Sequence, residues 1–490
     1  MNLPPKSPSA APLPPKAHQG RTPKPPSGAP LRPTRAAPLS RATARRSPNI
    51  LCTSCGACVY LSDDPAATMR LTPEGYRPTF SPGYTFPDTT PRICPGLGIN
   101  YPQHYISHYG KYPESWLTGI VNTVRTGHAS DPAIRLAGAS GGVLTRVLQY
   151  LLETDRIDAA IVAKQGLPTP MEASPVIATT PEEILTCAGS VYITVPMITA
   201  LSQIQPGKRY AFVGTPEQTA ALRALQNIGD ARAKQIIYVL GPYTGTALTP
   251  QALEYYLKSN KVKKDDPVTS VKWRAGEWPG YLEIKTESGI VLQSPKVYYN
   301  FLIPFFVTNT SLLSMDFCNE FADLAVGDAW SPKFENAKQG GVSVIVTRTA
   351  EIEAVIQEME AKGLLTLTVE DPLKAGDMHG HMLDFKKRGG YLRCQLRRFF
   401  RRPAPDYGYA PTHIACSRKI VEGIISSVFG LCRTRPARWL VCRIPEKWLG
   451  PFFNKLRLTW KALSRPTKRK ALTSYHVTFT NQTQKKYTRE

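Results

Sequence analysis

The chain has 490 residues, 42% of them hydrophobic, enough for a substantial core in roughly two to four domains. Its formal charge of +24 invites a nucleic-acid partner, but residues 1–50 carry +9 and residues 386–490 carry +21, which leaves 51–385 at −6 and argues against a nucleic-acid site on the central body. No run approaches the roughly 20 apolar residues that span a bilayer, and no apolar signal-peptide core opens the chain, so a cytoplasmic body is expected.

Residues 1–48 contain 13 prolines among Ala, Ser, Lys and Arg, which predicts a disordered basic leader. That proline density would also break the amphipathic helix of an organelle transit peptide. Residues 49–115 form the next expected unit. There Cys52, Cys55 and Cys58 recur at intervals of three, with Gly56 free to adopt a strained turn, and Cys94 follows ahead of Pro95. One short loop with a distant fourth thiol suits the corners of a [4Fe–4S] cluster. Zinc, which more often takes paired Cys-x-x-Cys knuckles, and unligated thiols are the alternatives. Ten cysteines in all are too sparse for a disulfide scaffold and point to a reducing compartment.

From residue 116 to 385 the pattern becomes α/β. Gly141-Gly142 leads into a helix with Leu144, Val147, Leu148 and Leu151 on one face, followed by a buried strand at 159–163. Strand, tight turn and helix recur at 210–225 and again at 236–258, which predicts a mainly parallel sheet flanked by helices. Residues 268–300 alternate as an antiparallel excursion, and 340–361 return to strand and helix. His379 and His381 read as a solvated turn rather than a ligand pair. Residues 386–490 read as a basic amphipathic helical tail whose tryptophans suit an anionic membrane surface, a partner's groove or the protein's own body. Deleting residues 387–490 is expected to remove liposome association and leave the rest of the chain intact. Cys394, Cys416, Cys432 and Cys442 in this tail read as buried or idle thiols.

Five stretches stand in a telling order: Arg135 to Thr145, Ala188-Gly189-Ser190-Val-Tyr192, Val213 to Gln218, Trp273 to Gly280, and Glu320 to Trp330. With Cys52 to Cys94 ahead of them, this arrangement resembles the coenzyme F420 hydrogenase/dehydrogenase beta-subunit family over about residues 50–365. The resemblance implies an iron–sulfur flavoprotein oxidoreductase. It implies metal ligation by Cys52, Cys55, Cys58 and Cys94, and FAD contacts from Gly138, Ser140, Gly141, Gly142, Thr145, Gly214, Thr215, Pro216, Gln218 and Asp328. The first glycine loop, with its hydroxyls and the helix behind it, suits a pyrophosphate, and a plain capping turn is the alternative. Asp328 suits a ribose or flavin edge, or else a surface turn. Many members of the family carry Cys where Glu217, Ser311 and Ser314 stand here, so a second cluster is not expected. The implied partners are a redox partner or small-molecule substrate, with nucleic acid disfavoured. A non-catalytic scaffold that kept the fold, tied to cell-surface polysaccharide assembly, is the competing expectation.

Overall fold

The structure is a computed structural model and describes residues 51–295, 300–335 and 339–480. The leader expected at 1–48 lies outside the described residues. The cysteine segment is followed by a hairpin of β1 (Thr68–Thr72) and β2 (Gly75–Thr79), paired antiparallel. The body then contributes β3 (Thr123–Ala129), β4 (Ala159–Gln165), β5 (Ala173–Ala178), β6 (Tyr210–Val213) and β7 (Ile236–Pro242). An excursion supplies β8 (Val268–Ala275), β9 (Tyr281–Thr286) and β10 (Val291–Pro295), and β11 (Leu324–Asp328), β12 (Ser343–Thr347) and β13 (Leu365–Val369) complete the main sheet.

That sheet has eight strands in the order β13-β3-β12-β11-β7-β6-β4-β5. Its centre, β11-β7-β6-β4, is parallel throughout, and antiparallel strands flank it on both sides. The pairings make β3, β4, β6, β7 and β11 run the same way. The sequence 268–300 forms the expected separate antiparallel sheet, β10-β9-β8.

Burial on both faces explains why the central strands read as continuous apolar runs. Along β4, Ala159 and Ile161 enter one core while Ala160 and Val162 enter the other, as a period of two requires. One core is closed by helices α1 (Val143–Glu153) and α3 (Ala350–Ala361), the other by α2 (Pro216–Asn227) and the helices Tyr101–Tyr109 and Gln251–Ser259. Within α1, Val143, Val147, Leu148 and Leu151 form the buried stripe.

A buried ion pair fastens α3 to the sheet: Arg125 of β3 grips Glu353 at 2.6 and 3.0 Å. Burial pushes the Glu353 carboxyl up, but hydrogen bonds from Arg125, Thr347 and Gln357, with the Arg125 charge, more than offset it and hold it at about 2. A carboxyl held below its ordinary 4.5 stabilises the fold above that value and loses this contribution as the pH falls toward 2. Thermal unfolding of Glu353→Gln is therefore expected to lie below wild type at neutral pH and to converge with it under acid. Equal separation of the two curves at every pH would contradict this assignment.

The basic tail begins inside a continuous helical run. Gly380–Asp384 passes through a π-helical turn, Phe385–Gly389, into α4 (Gly390–Phe399), so residue 386 is not at a linker. Beyond α4 lie β14 (Tyr409–Pro411), α5 (Cys416–Cys432), α6 (Arg435–Val441), α7 (Glu446–Arg469) and β15 (Val477–Phe479), which pairs back onto β14. Tyr407, Tyr409, Val441, Leu449, Leu472 and Tyr475 join the same core as Tyr101, Tyr105 and Phe321. Lys386 and Lys387 are buried, and Lys387 pairs with buried Glu320. One side of the extension is therefore part of the body, while Ile420, Ile424, Trp439, Trp448 and Phe452 stay exposed. Among the tail cysteines, Cys394 and Cys442 are buried and Cys416 is exposed.

Among the described residues, no helix is long and apolar enough to cross a membrane.

Candidate functional site

The shared direction of β3, β4, β6, β7 and β11 puts their carboxyl ends on one rim of the sheet. Open α/β sheets bind ligands at that rim. The turns expected to contact a cofactor all leave it: 138–142 after β3, Gly214-Thr215-Pro216 after β6, and Asp328 at the end of β11.

The first turn is locked to the start of β12. The Ser140 hydroxyl donates to the Val342 carbonyl at 2.7 Å, Ser343 donates back to the Ser140 carbonyl at 2.6 Å, and the Gly141 amide donates to Gly340. Arg135 adds two hydrogen bonds to the Gly341 carbonyl. Gly141 and Gly142 have φ of +65° and +68°, and a Cβ at Gly141 would stand 2.7 Å from Ser343 Oγ. At Gly142 it would stand 2.5 Å from the Ile134 carbonyl. The close approach these glycines permit is thus to the protein's own backbone, and Thr145 lies buried one turn into α1. Gly189 differs: at φ +108° its nearest neighbour beyond the adjoining residues is the Ala137 carbonyl at 3.9 Å, so its face of the rim is open.

The second turn is a helix cap. Thr215 and Gln218 form a reciprocal capping box on α2, with Pro216 at its first position. Gln218 also donates to the Val195 carbonyl at 2.7 Å, and Asn319 bridges the Gly214 carbonyl to the Thr219 hydroxyl.

Asp328 is a clamp. Its carboxylate accepts from Arg274 at 3.0 and 3.2 Å and from the Trp278 indole at 3.4 Å, tying the β8 excursion to β11. Trp278 packs on Trp330 with ring centroids 4.7 Å apart, and Glu277 accepts from the Gly340 amide. Four of the five sequence stretches meet here or beside it: Tyr192 packs on Trp273 at 5.6 Å. The motif spacing had marked Arg274, Trp278 and Trp330 without giving them a role.

His379 is not a solvated turn. It is 4% exposed, packed against Tyr243 and Phe317, and hydrogen-bonded to the Asp328 carbonyl. Burial pushes its imidazole down to about 4, so it is neutral, and its Nε2 has no hydrogen-bond partner among the described residues. The orphaned ring nitrogen is enclosed at the end of β11 between Tyr243 and Phe317.

The cysteine loop packs against this rim. Ser54 and Gly56 take positive φ, and a Cβ at Gly56 would collide with the Thr199 methyl at 2.7 Å. Each of the six pairings among Cys52, Cys55, Cys58 and Cys94 is within electrostatic reach. Burial pushes all four thiols up, Cys55 to about 12 and Cys94 to about 11. Amides of Ser54, Ala57, Gly96 and Leu97 are aimed at the sulfurs and pull the other way. Such amides stabilise a thiolate, the form that ligates iron. Among the described residues, no three His, Cys, Asp or Glu side chains are grouped tightly enough to hold a metal ion. The four thiols form a looser set.

A small cavity lined by Thr53, Pro95, Gly96, Glu217, Thr310 and Tyr407 joins this loop to α2. Beside it, Glu217 hydrogen-bonds the Ser314 hydroxyl and faces Lys386, which donates to the Ser311 carbonyl at 3.0 Å. Burial pushes the Lys386 ammonium down to about 8, with Glu217 opposing that shift. The three positions where cysteine was missing are thus gathered in one place and joined by a lysine from the extension. Cys318 lies apart, against Tyr243, and Cys187 lies beside Thr186.

Residues 124–202 match the N-terminal domain, and 207–372 the C-terminal domain, of the coenzyme F420 hydrogenase/dehydrogenase beta subunit. The cysteine loop and the whole of the extension fall outside both. The chain is 25% identical to the beta subunit of coenzyme F420 hydrogenase from Methanococcus voltae over 270 residues, covering 53% of this chain and 88% of that protein. It is 28% identical over 134 residues to the beta subunit of an F420-dependent formate dehydrogenase from Methanococcus maripaludis, covering 26% of this chain and 33% of that protein. A chain of the F420-reducing [NiFe] hydrogenase complex from Methanosarcina barkeri aligns with a TM-score of 0.47 at 20% identity, covering 60% of this chain and 98% of that one. With the two domain matches spanning half its length, the chain belongs to the coenzyme F420 hydrogenase/dehydrogenase beta-subunit family, a family of oxidoreductases.

Proposed function

We propose that the protein is an iron–sulfur flavoprotein in which Cys52, Cys55, Cys58 and Cys94 hold one [4Fe–4S] cluster and the rim of the sheet holds FAD. Bound there, these groups would supply one- and two-electron transfer toward a redox partner or small substrate. The observation that supports the proposal is that Cys52, Cys55, Cys58 and Cys94 lie within electrostatic reach of one another, with backbone amides directed at their sulfurs, beside the carboxyl-end rim. The residues' own tasks follow from their positions. The Ser54, Ala57, Gly96 and Leu97 amides favour thiolate at the ligating sulfurs, and Arg274 and Asp328 hold the excursion over the rim. The reducing cytoplasm suits the thiols, and the basic extension suits an anionic membrane surface.

Anaerobically purified protein is expected to contain about four iron and four sulfide per chain, the content of one cubane. Cys55→Ser should lose both. Zinc in place of iron would overturn the cluster, and flavin that is absent or cannot be reduced and reoxidised would favour the scaffold.

A further inference from the structure

The extension presents an apolar surface that the fold leaves uncovered. Phe399 and Phe400, at the end of α4, are 79% and 61% exposed, and Arg397, Arg398, Arg401 and Arg402 flank them. In α5, Ile420, Ile424, Val428 and Leu431 are exposed, while Arg418, Glu422 and Ile425 occupy the buried face. In α7, Trp448, Phe452, Leu456, Leu458 and Leu463 are exposed and Leu449 is buried. At about 100° per residue, the α5 set falls within an arc of about 80°, as do Trp448, Phe452, Leu456 and Leu463 of α7, with Leu458 outside it. Lys447, Arg457, Lys461 and Arg465 fall together on another arc of α7, also about 80° wide. Helices α5 and α7 pack on one another. Among described side chains of 386–480, eleven Lys or Arg are exposed and no acid is: Glu422 is buried between Arg393 and Arg418, and Asp406 is only half-exposed.

We infer that this face of α4, α5 and α7 docks the protein in the plane of an anionic lipid surface, with Phe399, Phe400, Trp448 and Phe452 entering the headgroup boundary. Aromatic side chains bracketed by cations, on helices that cannot span, fit the two terms of interfacial binding: buried apolar area and attraction to acidic lipid. A protein groove fits less well, because the exposed charges described on this extension are all cationic, a one-signed surface that matches acidic lipid. The face also lies beyond residue 372, where the family match ends, so relatives' subunit contacts do not account for it. The inference deepens the membrane clause of the proposed function and is independent of the cofactors.

The test is co-sedimentation of the full chain with vesicles of neutral phosphatidylcholine, alone or mixed with phosphatidylglycerol. Wild type is expected to bind the mixed vesicles, to bind neutral ones at least about tenfold more weakly, and to be released by salt. Phe399→Ser/Phe400→Ser and Trp448→Ser/Phe452→Ser keep the charge and remove exposed groups only, so each should weaken binding with thermal unfolding unchanged. Wild type left in the supernatant, equal binding to neutral vesicles, or full binding by the two double variants would overturn the inference. So would self-association or RNA binding that the same substitutions abolish while vesicle binding survives. Iron and flavin content, measured on the same samples, report the redox reading separately.

Discussion

Replacing Lys387 by methionine is expected to destabilise the protein by about 3–5 kcal/mol, the cost of leaving a buried charge without its partner. Lys387 and Glu320 are both fully buried, the Tyr105 hydroxyl and Lys387 Nζ both donate to the Glu320 carboxylate, and Tyr409 Oη lies 3.3 Å from the ammonium. Burial pushes the Glu320 carboxyl up to about 7, against the Lys387 charge that holds it down, and Asp316 pushes it further up. A folded-state value above the ordinary 4.5 means that the native protein binds the extra proton, so stability from this group falls as the pH rises through 7. The deficit of Lys387→Met should therefore be small in acid, where Glu320 is protonated, and should set in above about pH 7 and grow with pH, because without Lys387 the carboxyl is held up further. Adding Glu320→Gln should recover much of it. Urea unfolding of both single variants and the double variant across pH decides the matter; a Lys387→Met protein as stable as wild type at pH 8 would refute it. A chain ending at residue 385 lacks Lys387, Tyr409 and Tyr475 together, and is expected to aggregate.

Such a role for the extension was not legible in the sequence. Lys386-Lys387-Arg388 sits in a run of basic residues, and a run of like charges reads as solvated. Only the partner shows otherwise, and Glu320 lies 67 residues away. The sheet was legible because β4, β6 and β7 bury both faces and so leave continuous apolar runs between glycine turns. The rim was legible in outline for a related reason, since turns after parallel strands share one edge. The role of each glycine was not. Gly141 signals a positive φ and a close neighbour, but nothing local tells whether that neighbour is a phosphate or, as the structure has it, Ser343 and the Gly127 carbonyl. Asp328 was singled out for its motif, and its partners Arg274 and Trp278 belong to a different motif 50 to 54 residues earlier.

That pairing carries the second large expected effect. Arg274→Met should weaken flavin retention at least about tenfold, equivalent to about 1.4 kcal/mol, because it releases the strand excursion that Asp328 holds against the rim. The pair is well shielded, with side-chain exposures of 5% and 14%, so the lost contact is not replaced by water at little cost. Asp328→Asn keeps an oxygen for Arg274 and for the Trp278 indole, and should weaken retention less. The decisive comparison is the double variant. If Asp328 acts through Arg274, adding Asp328→Asn to Arg274→Met costs no more than Arg274→Met alone, since residues in one network do not add. If Asp328 instead touches the cofactor directly, the two losses add, and the clamp assignment fails. Gel-filtered flavin content and the far-ultraviolet circular dichroism of each variant separate this outcome from unfolding, because the excursion is a small sheet whose release leaves the eight-stranded core intact.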